Sequence, residues 1–120
     1  MRFYTEEHET AYNDICQRMR YRDCYHKSLA YLLALDIVCR AHVEDIFDFE
    51  DDGIKCDGLR KAWQTGTSAR TTRLAFNLWN GRYCDEDDKP TSRYTPEDIF
   101  VCGDYAPFYF EAIQIRFERV

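Results

Sequence analysis

The sequence predicts a mainly α-helical protein, a compact single-domain bundle of about five helices over residues 1–120. Three observations predict this class. The length of 120 residues suits one hydrophobic core. Apolar residues recur at helical spacing in several segments, and helix-capping residues followed by acids or proline stand before them. No repeat, low-complexity tract or linker separates the segments.

Two long helices are predicted in the first half. Thr5 stands before acids that favour the positive first turn of a helix, so the first helix is predicted over residues 6–20. A second, longer helix begins at Asp23 or Ser28 and continues to Ile46. Its apolar face comprises Leu29, Leu32, Leu33, Ile37 or Val38, Val43 and Ile46.

The second half predicts shorter helices between loops. After Gly53, residues 59–64 suit one or two helical turns, and a third helix is predicted over residues 68–80, capped by Thr67 or Ser68 and ended by Gly81. Residues 83–93 have loop composition. A short helix starts at Thr95 and runs to about residue 102. The segment up to Phe117 is predicted to be a helix, although its apolar residues also alternate as in a strand.

Charge and composition narrow the classes of function. The chain has 16 basic and 22 acidic residues, a formal net charge of −6, which argues against direct binding to nucleic acid and favours a protein partner. No apolar run is long enough to cross a membrane, and no export signal is recognisable, so we expect a cytoplasmic protein. The six cysteines include no CxxC pair. We expect them to be reduced thiols.

The segment from Asp48 to Leu59 resembles the start of a calcium loop. Asp48, Glu50 and Asp52 alternate before Gly53, as the first ligands of such a loop do. The twelfth position, which needs a bidentate glutamate, is Leu59. The pattern therefore favours a solvated turn after a helix over a metal site.

The segment Thr65 to Arg73 raises the possibility of anion binding. Its glycine and hydroxyl residues precede a helix, whose first N–H groups attract anions, and Arg70 and Arg73 add positive charge. The second glycine and the lysine of a phosphate loop are missing. A capped helix with two exposed arginines is the simpler interpretation.

Two pairs of cysteine and histidine define an enzymatic alternative. Cys24 and His26 form one pair, and Cys39 and His42 form the other. Together they have the residue types of a tetrahedral zinc site or of a thiol nucleophile with its base, but their spacing matches no common zinc pattern. We therefore predict no enzyme activity, no cofactor and no metal site, with a small zinc- or thiol-dependent enzyme as the alternative.

Acidic residues carry the main functional prediction. Two runs can imitate the charge of a nucleic-acid backbone and bind a basic groove of a partner, with nearby aromatic and arginine residues as anchors. The predicted partner-binding residues are Glu44, Asp45, Asp48, Glu50, Asp51, Asp52, Trp63, Arg70, Arg73, Tyr83, Asp85, Glu86, Asp87 and Asp88.

Three stretches, Asp23 to Asp36, Lys61 to Gly81 and Pro107 to Phe117, carry a family resemblance. The chain resembles a family of small bacterial proteins of unknown function from gram-positive gut bacteria, often encoded among the genes of conjugative elements and phages. The resemblance covers nearly the whole chain and implies no catalytic or binding residue. It implies a setting, because small acidic proteins of mobile elements are often inhibitors of host defence.

The expected function is a non-enzymatic protein-binding module. The resemblance points to a mobile-element or phage-encoded inhibitor of a nucleic-acid-processing defence protein, similar to anti-CRISPR proteins, that acts through its acidic surface. A structural or regulatory homodimer of a mobile element is a further alternative.

Overall fold

Helices dominate the computed structural model, which describes residues 1–84, 92–101 and 103–118. The predicted fold class is confirmed, although this part of the chain contains seven α-helices instead of about five. The elements are α1 (Glu6–Arg18), α2 (Cys24–Leu35), α3 (Ile37–Ala41), α4 (Val43–Ile46), β1 (Phe47–Asp48), β2 (Gly53–Ile54), α5 (Gly66–Asn80), α6 (Pro96–Ile99) and α7 (Ala106–Phe117). Short 3-10 turns cover Cys56–Arg60, Ser92–Tyr94 and Gly103–Tyr105.

The centre of the core is α2. All its residues from Ser28 to Leu35 are buried, and α1, α5 and α7 pack around it. A helix that is apolar on every side is stable only when other elements cover every side. In this chain that helix is α2, and α1, α5 and α7 cover its sides.

Three of the predicted helices are confirmed. The Thr5 side chain caps α1 by accepting a hydrogen bond from the His8 amide, and the helix ends at Arg18, two residues before the predicted end. Gly81 ends α5 with a left-handed φ of 75°, which glycine adopts without strain. The last segment is the helix α7, so the strand interpretation is wrong.

The long second helix was predicted wrongly, because it divides into α2, α3 and α4. Asp36 is extended, and its Oδ2 accepts hydrogen bonds from the amides of Val38 and Cys39, each at 3.0 Å. A side chain that caps a new helix replaces the bonds that would continue the old one. Ile37 and Val38 were the alternatives for one position of the apolar face; Ile37 is 64% exposed, whereas Val38 is half-buried.

Several other element boundaries also differ from the prediction. The capping residue of α5 is Thr65, which forms a capping box with Ser68, so this helix begins at Gly66. The turn predicted over residues 59–64 lies at Cys56–Arg60, and α6 ends at Ile99. The strands β1 and β2 form a two-residue antiparallel hairpin that was not predicted.

His8 attaches the N-terminal segment to the core. Its Nε2 lies 2.9 Å from the Tyr31 carbonyl oxygen, and its Nδ1 accepts a hydrogen bond from the Tyr4 amide. Because a carbonyl only accepts, Nε2 carries the proton and the ring is neutral. Burial lowers the pKa of His8 from 6.5 to about 4.

Among the described helices, none is long and apolar enough to cross a membrane.

Candidate functional site

The first acidic run forms a short folded segment, residues 44–52, which we call the acidic segment. It comprises most of α4, the strand β1 and the turn before β2. Asp48 Oδ1 accepts hydrogen bonds from the amides of Glu50 and Asp51, at 2.9 and 3.0 Å. The bonds from these amides hold the pKa of the Asp48 carboxyl below its usual value. A carboxylate with these hydrogen bonds organises the turn.

Basic side chains from the end of α1 and from the residue after β2 fix one end of the acidic segment. Arg18 donates a hydrogen bond of 2.7 Å to the Glu44 carboxylate, and its guanidinium lies 4.0 Å from the centre of the Phe49 ring. The Lys55 ammonium donates to the Glu44 carbonyl at 2.8 Å. These contacts neutralise part of the acidic run, while the side chains of Glu50 and Asp51 are exposed.

His26 fixes the other end of the acidic segment. The buried imidazole lies between two carboxylates, with Nδ1 2.8 Å from Asp23 and Nε2 2.7 Å from Asp52. A neutral imidazole has one N–H, so the ring donates to both acids only when it is protonated. Burial opposes the charge of Asp23, but the hydrogen bonds from His26 outweigh it and hold the pKa of that carboxyl below its usual value. The acidic segment is thereby attached to the start of α2.

Trp63, a predicted anchor, lies beside the acidic segment. Its indole N–H donates to Asp45 at 2.9 Å, and its ring stacks on His42 with centroids 4.3 Å apart and planes 6° apart. The side chain is half-buried. Trp63 therefore presents one fixed aromatic surface next to the carboxylates, which suits a binding anchor.

The other predicted partner-binding residues lie apart from this segment or outside the described structure. Arg70 and Arg73 line a separate cavity at the start of α5. Tyr83 lies edge-on to Tyr94, with ring centroids 4.9 Å apart. Asp85, Glu86, Asp87 and Asp88 are outside the described residues. The structure therefore describes only the first of the two acidic runs.

Three of the four cysteine and histidine candidates have contacts that differ from one another. Cys39 is buried against Ser68 and Thr72, whereas His42 stacks on Trp63 and His26 binds two carboxylates. Burial raises the pKa of the Cys39 thiol, which disfavours the thiolate that a nucleophile or a zinc ligand needs. In the described ranges, no group of three or more His, Cys, Asp and Glu side chains is arranged to hold a metal ion. These contacts do not favour the zinc or thiol enzyme.

One expectation about the cysteines is wrong. Cys56 and Cys84, which are 28 positions apart in the sequence, form a disulfide. Arg60 donates a hydrogen bond to the Cys84 carbonyl, and the Cys84 amide donates to the Tyr94 hydroxyl, both at 3.1 Å. The long separation gives no spacing motif, so only the packing of the 3-10 turn Cys56–Arg60 beside the end of α5 reveals the pair. Cys16, Cys24 and Cys39 are free thiols.

Sequence reasoning missed two arrangements around these sites. One is the pairing of His26 with Asp52, residues 26 positions apart. The other is the position of Arg93 beside Arg70 and Arg73. Residue type alone marked His26 as a candidate, but no local signal indicates either long-range contact.

One family model matches the whole chain, residues 1–120, and its description is "Family of unknown function (DUF6075)". No curated protein and no solved structure matches the chain. The match over the full length agrees with the expectation of a family of unknown function. The chain belongs to the DUF6075 family.

Proposed function

We propose that this protein is a non-enzymatic, cytoplasmic protein-binding module that uses the acidic segment to bind a basic groove of its partner. The partner class that we propose is a nucleic-acid-processing protein of host defence, inhibited in the manner of an anti-CRISPR protein. The source that we propose for the chain is a mobile element or phage of gram-positive gut bacteria.

The fixed geometry of the acidic segment supports this proposal. Six acids lie within nine residues, and contacts with Arg18, His26 and Trp63 hold the backbone of this short stretch in place. A charged surface that is already ordered loses little conformational entropy on binding. The exposed carboxylates of Glu50 and Asp51 are then available to basic side chains of a partner.

The aromatic neighbour of the segment supports a protein partner. Trp63 is held by Asp45 and His42, so it has little rotamer freedom left to lose. Rigid aromatic side chains surrounded by polar groups are frequent binding anchors. The acidic segment and Trp63 together suit a basic groove of a protein. They do not suit a nucleic acid, because the acids would repel its phosphates.

Affinity capture tests the proposal. The tagged protein is incubated with a lysate of a gram-positive host that carries defence systems, at low and at high salt, and retained proteins are identified by mass spectrometry. We expect a nucleic-acid-binding protein that is retained at low salt, lost at high salt and displaced by duplex DNA or RNA. Retention that neither salt nor nucleic acid reduces would contradict the acidic mechanism.

One observation favours a homodimer as a second candidate. Phe110 and Phe117 lie seven positions apart on α7 and are 56% and 53% exposed. Arg116 lies against the neighbouring rings of Tyr25 and Phe117, at 3.8 and 4.7 Å from their centres. Exposed aromatic side chains on one helix face are typical of interfaces. The molecular mass in solution, compared with that of the Phe110→Ser variant, tests this candidate.

A further inference from the structure

We propose that His26 is a pH-sensitive switch, which holds the turn of the acidic segment while its imidazole is protonated and releases Asp52 when it is not. The side chain is buried between the start of α2 and that turn. Its Nδ1 lies 2.8 Å from Oδ1 of Asp23, and its Nε2 lies 2.7 Å from Oδ1 of Asp52. The switch concerns the shape of the turn and does not rest on the proposed partner.

Both contacts of the imidazole need a protonated ring. A carboxylate oxygen only accepts, so each ring nitrogen must carry a proton for both contacts to be hydrogen bonds. When the ring gives one proton to water, one nitrogen lone pair faces a carboxylate oxygen at 2.7 or 2.8 Å. Two acceptors at that distance repel each other. One of the two contacts therefore opens when the ring becomes neutral.

The contact with Asp52 is the one that opens. Asp23 also accepts a hydrogen bond of 3.0 Å from the His26 amide, as the cap of α2, so this carboxylate stays beside Nδ1. Within the described part of the chain, His26 supplies the only hydrogen bond to the Asp52 carboxylate. Asp52 also has the left-handed φ of 58°, which non-glycine residues seldom adopt. The neutral ring therefore keeps its proton on Nδ1, and Nε2 loses its own.

The other groups around the ring leave this response to the imidazole. The ring of Trp79 from α5 lies edge-on at 4.7 Å between centroids and carries no charge, and the ring of Tyr21 lies at 5.5 Å. Arg20 adds a positive charge at the same turn, where it donates to the Glu50 carbonyl. A tyrosine ordinarily titrates near pH 10 and an arginine stays charged. Histidine is the side chain of this group whose charge ordinarily changes near neutral pH.

Nitrogen NMR of the ring tests the switch from about pH 5.5 to about pH 9, a range that includes the ordinary histidine pKa. The parent protein for the test is His42→Gln, because His42 lies beside the same segment, 3.9 Å from Asp45. The pKa of His8, about 4, lies below this range. We expect two protonated ring nitrogens at low pH and a proton on Nδ1 alone at high pH. The amide shifts of residues 50–54 should change with the same midpoint.

Two variants of this parent separate the switch from a general effect of pH. Asp52→Asn keeps the shape of the side chain and tolerates the left-handed conformation, but its amide can donate to an unprotonated Nε2. We expect the turn amides of this variant to stay unchanged across the range. Asp51→Asn removes the same charge from an exposed neighbour and should leave the coupled change in place.

Four results would overturn the proposal. They are a ring whose protonation does not change in this range, a neutral ring with its proton on Nε2, turn amides that do not follow the ring, and a coupled change that persists in Asp52→Asn. The first three are measured without a change at position 52, so they decide the matter even if that variant folds poorly. None of the four bears on whether the acidic segment binds a partner.

Discussion

His26 and Asp52 join the start of α2 to the turn of the acidic segment, with Nε2 of the imidazole 2.7 Å from the carboxylate. Asp52 has a left-handed φ of 58°, a conformation that non-glycine residues seldom adopt. The contact with His26 helps to hold this residue in place. The shape of the turn therefore depends on His26, a residue of α2, and so does the placement of Glu50 and Asp51.

We expect His26→Ala to destabilise the protein by about 2–3 kcal/mol, because it leaves Asp52 without its partner and creates a cavity beside Trp79. His42→Ala is the matched control. That side chain is half-exposed, so a loss of about 1 kcal/mol or less is expected. Urea denaturation measures the free energy of unfolding of both variants. Similar losses for the two variants would show that the contacts of His26 add little to stability.

His8 makes stability depend on pH. Its pKa is about 4 in the folded protein and 6.5 ordinarily, so below pH 6.5 the unfolded chain binds more protons than the folded one. The neutral ring contributes to the free energy of unfolding in full above pH 6.5, and this contribution is lost as the pH falls to 4. Between pH 7.5 and 4.5 we expect the wild type to lose about 2–3 kcal/mol more than His8→Gln, which does not titrate. Equal losses in urea denaturation would contradict this.

Asp36 should be a key residue of the helix break. Its carboxylate accepts from two amides of α3 and from the Tyr105 hydroxyl at 3.0 Å. We expect Asp36→Ala to cost about 2–4 kcal/mol, because the cap and the buried partners lose their acceptor. Tyr105→Phe removes only the hydroxyl bond and should cost about 1 kcal/mol. Thermal denaturation measures the stability that each variant loses. Equal losses for Asp36→Ala and Tyr105→Phe would refute the capping role of Asp36.

The disulfide should stabilise the fold by restricting the unfolded chain. For a separation of 28 residues, loop-closure entropy gives about 3–4 kcal/mol. We expect the double variant Cys56→Ser, Cys84→Ser to lose about that amount, and Cys24→Ser to lose less than about 1 kcal/mol. Mass spectrometry after alkylation of the denatured protein, without reductant, should find labels on Cys16, Cys24 and Cys39 and none on Cys56 or Cys84. Labels on Cys56 and Cys84 would contradict the pairing.

Local signals made part of this fold predictable. The capping pattern at Thr5, the glycine at position 81 and the apolar spacing of α7 each act within a few residues, and each predicted its helix correctly. The division at Asp36 was missed, because its apolar neighbours on both sides keep helical spacing while the side chain caps a new helix. An Asp or Asn near the middle of a predicted helix can therefore cap a second helix and divide the predicted one.

The candidate sites were less predictable, because they rest on contacts between distant residues. Composition identified the acids and both arginines of α5, but not the pairing of His26 with Asp52, the third arginine at position 93, or the disulfide. Each of these depends on how α2, α5 and the turns pack, and a single sequence gives no direct signal of that packing.

The central claim is that the acidic segment binds a basic partner, and the most direct measurement is the affinity of charge variants for the captured protein. Glu50→Lys with Asp51→Lys reverses two exposed charges that lie in the turn. Glu9→Lys with Asp104→Lys makes the same change in net charge in other elements. We predict at least about tenfold weaker binding for the first pair, a smaller effect for the second, and a smaller salt dependence for the first pair than for the wild type. Equal affinities for the two pairs would contradict the account.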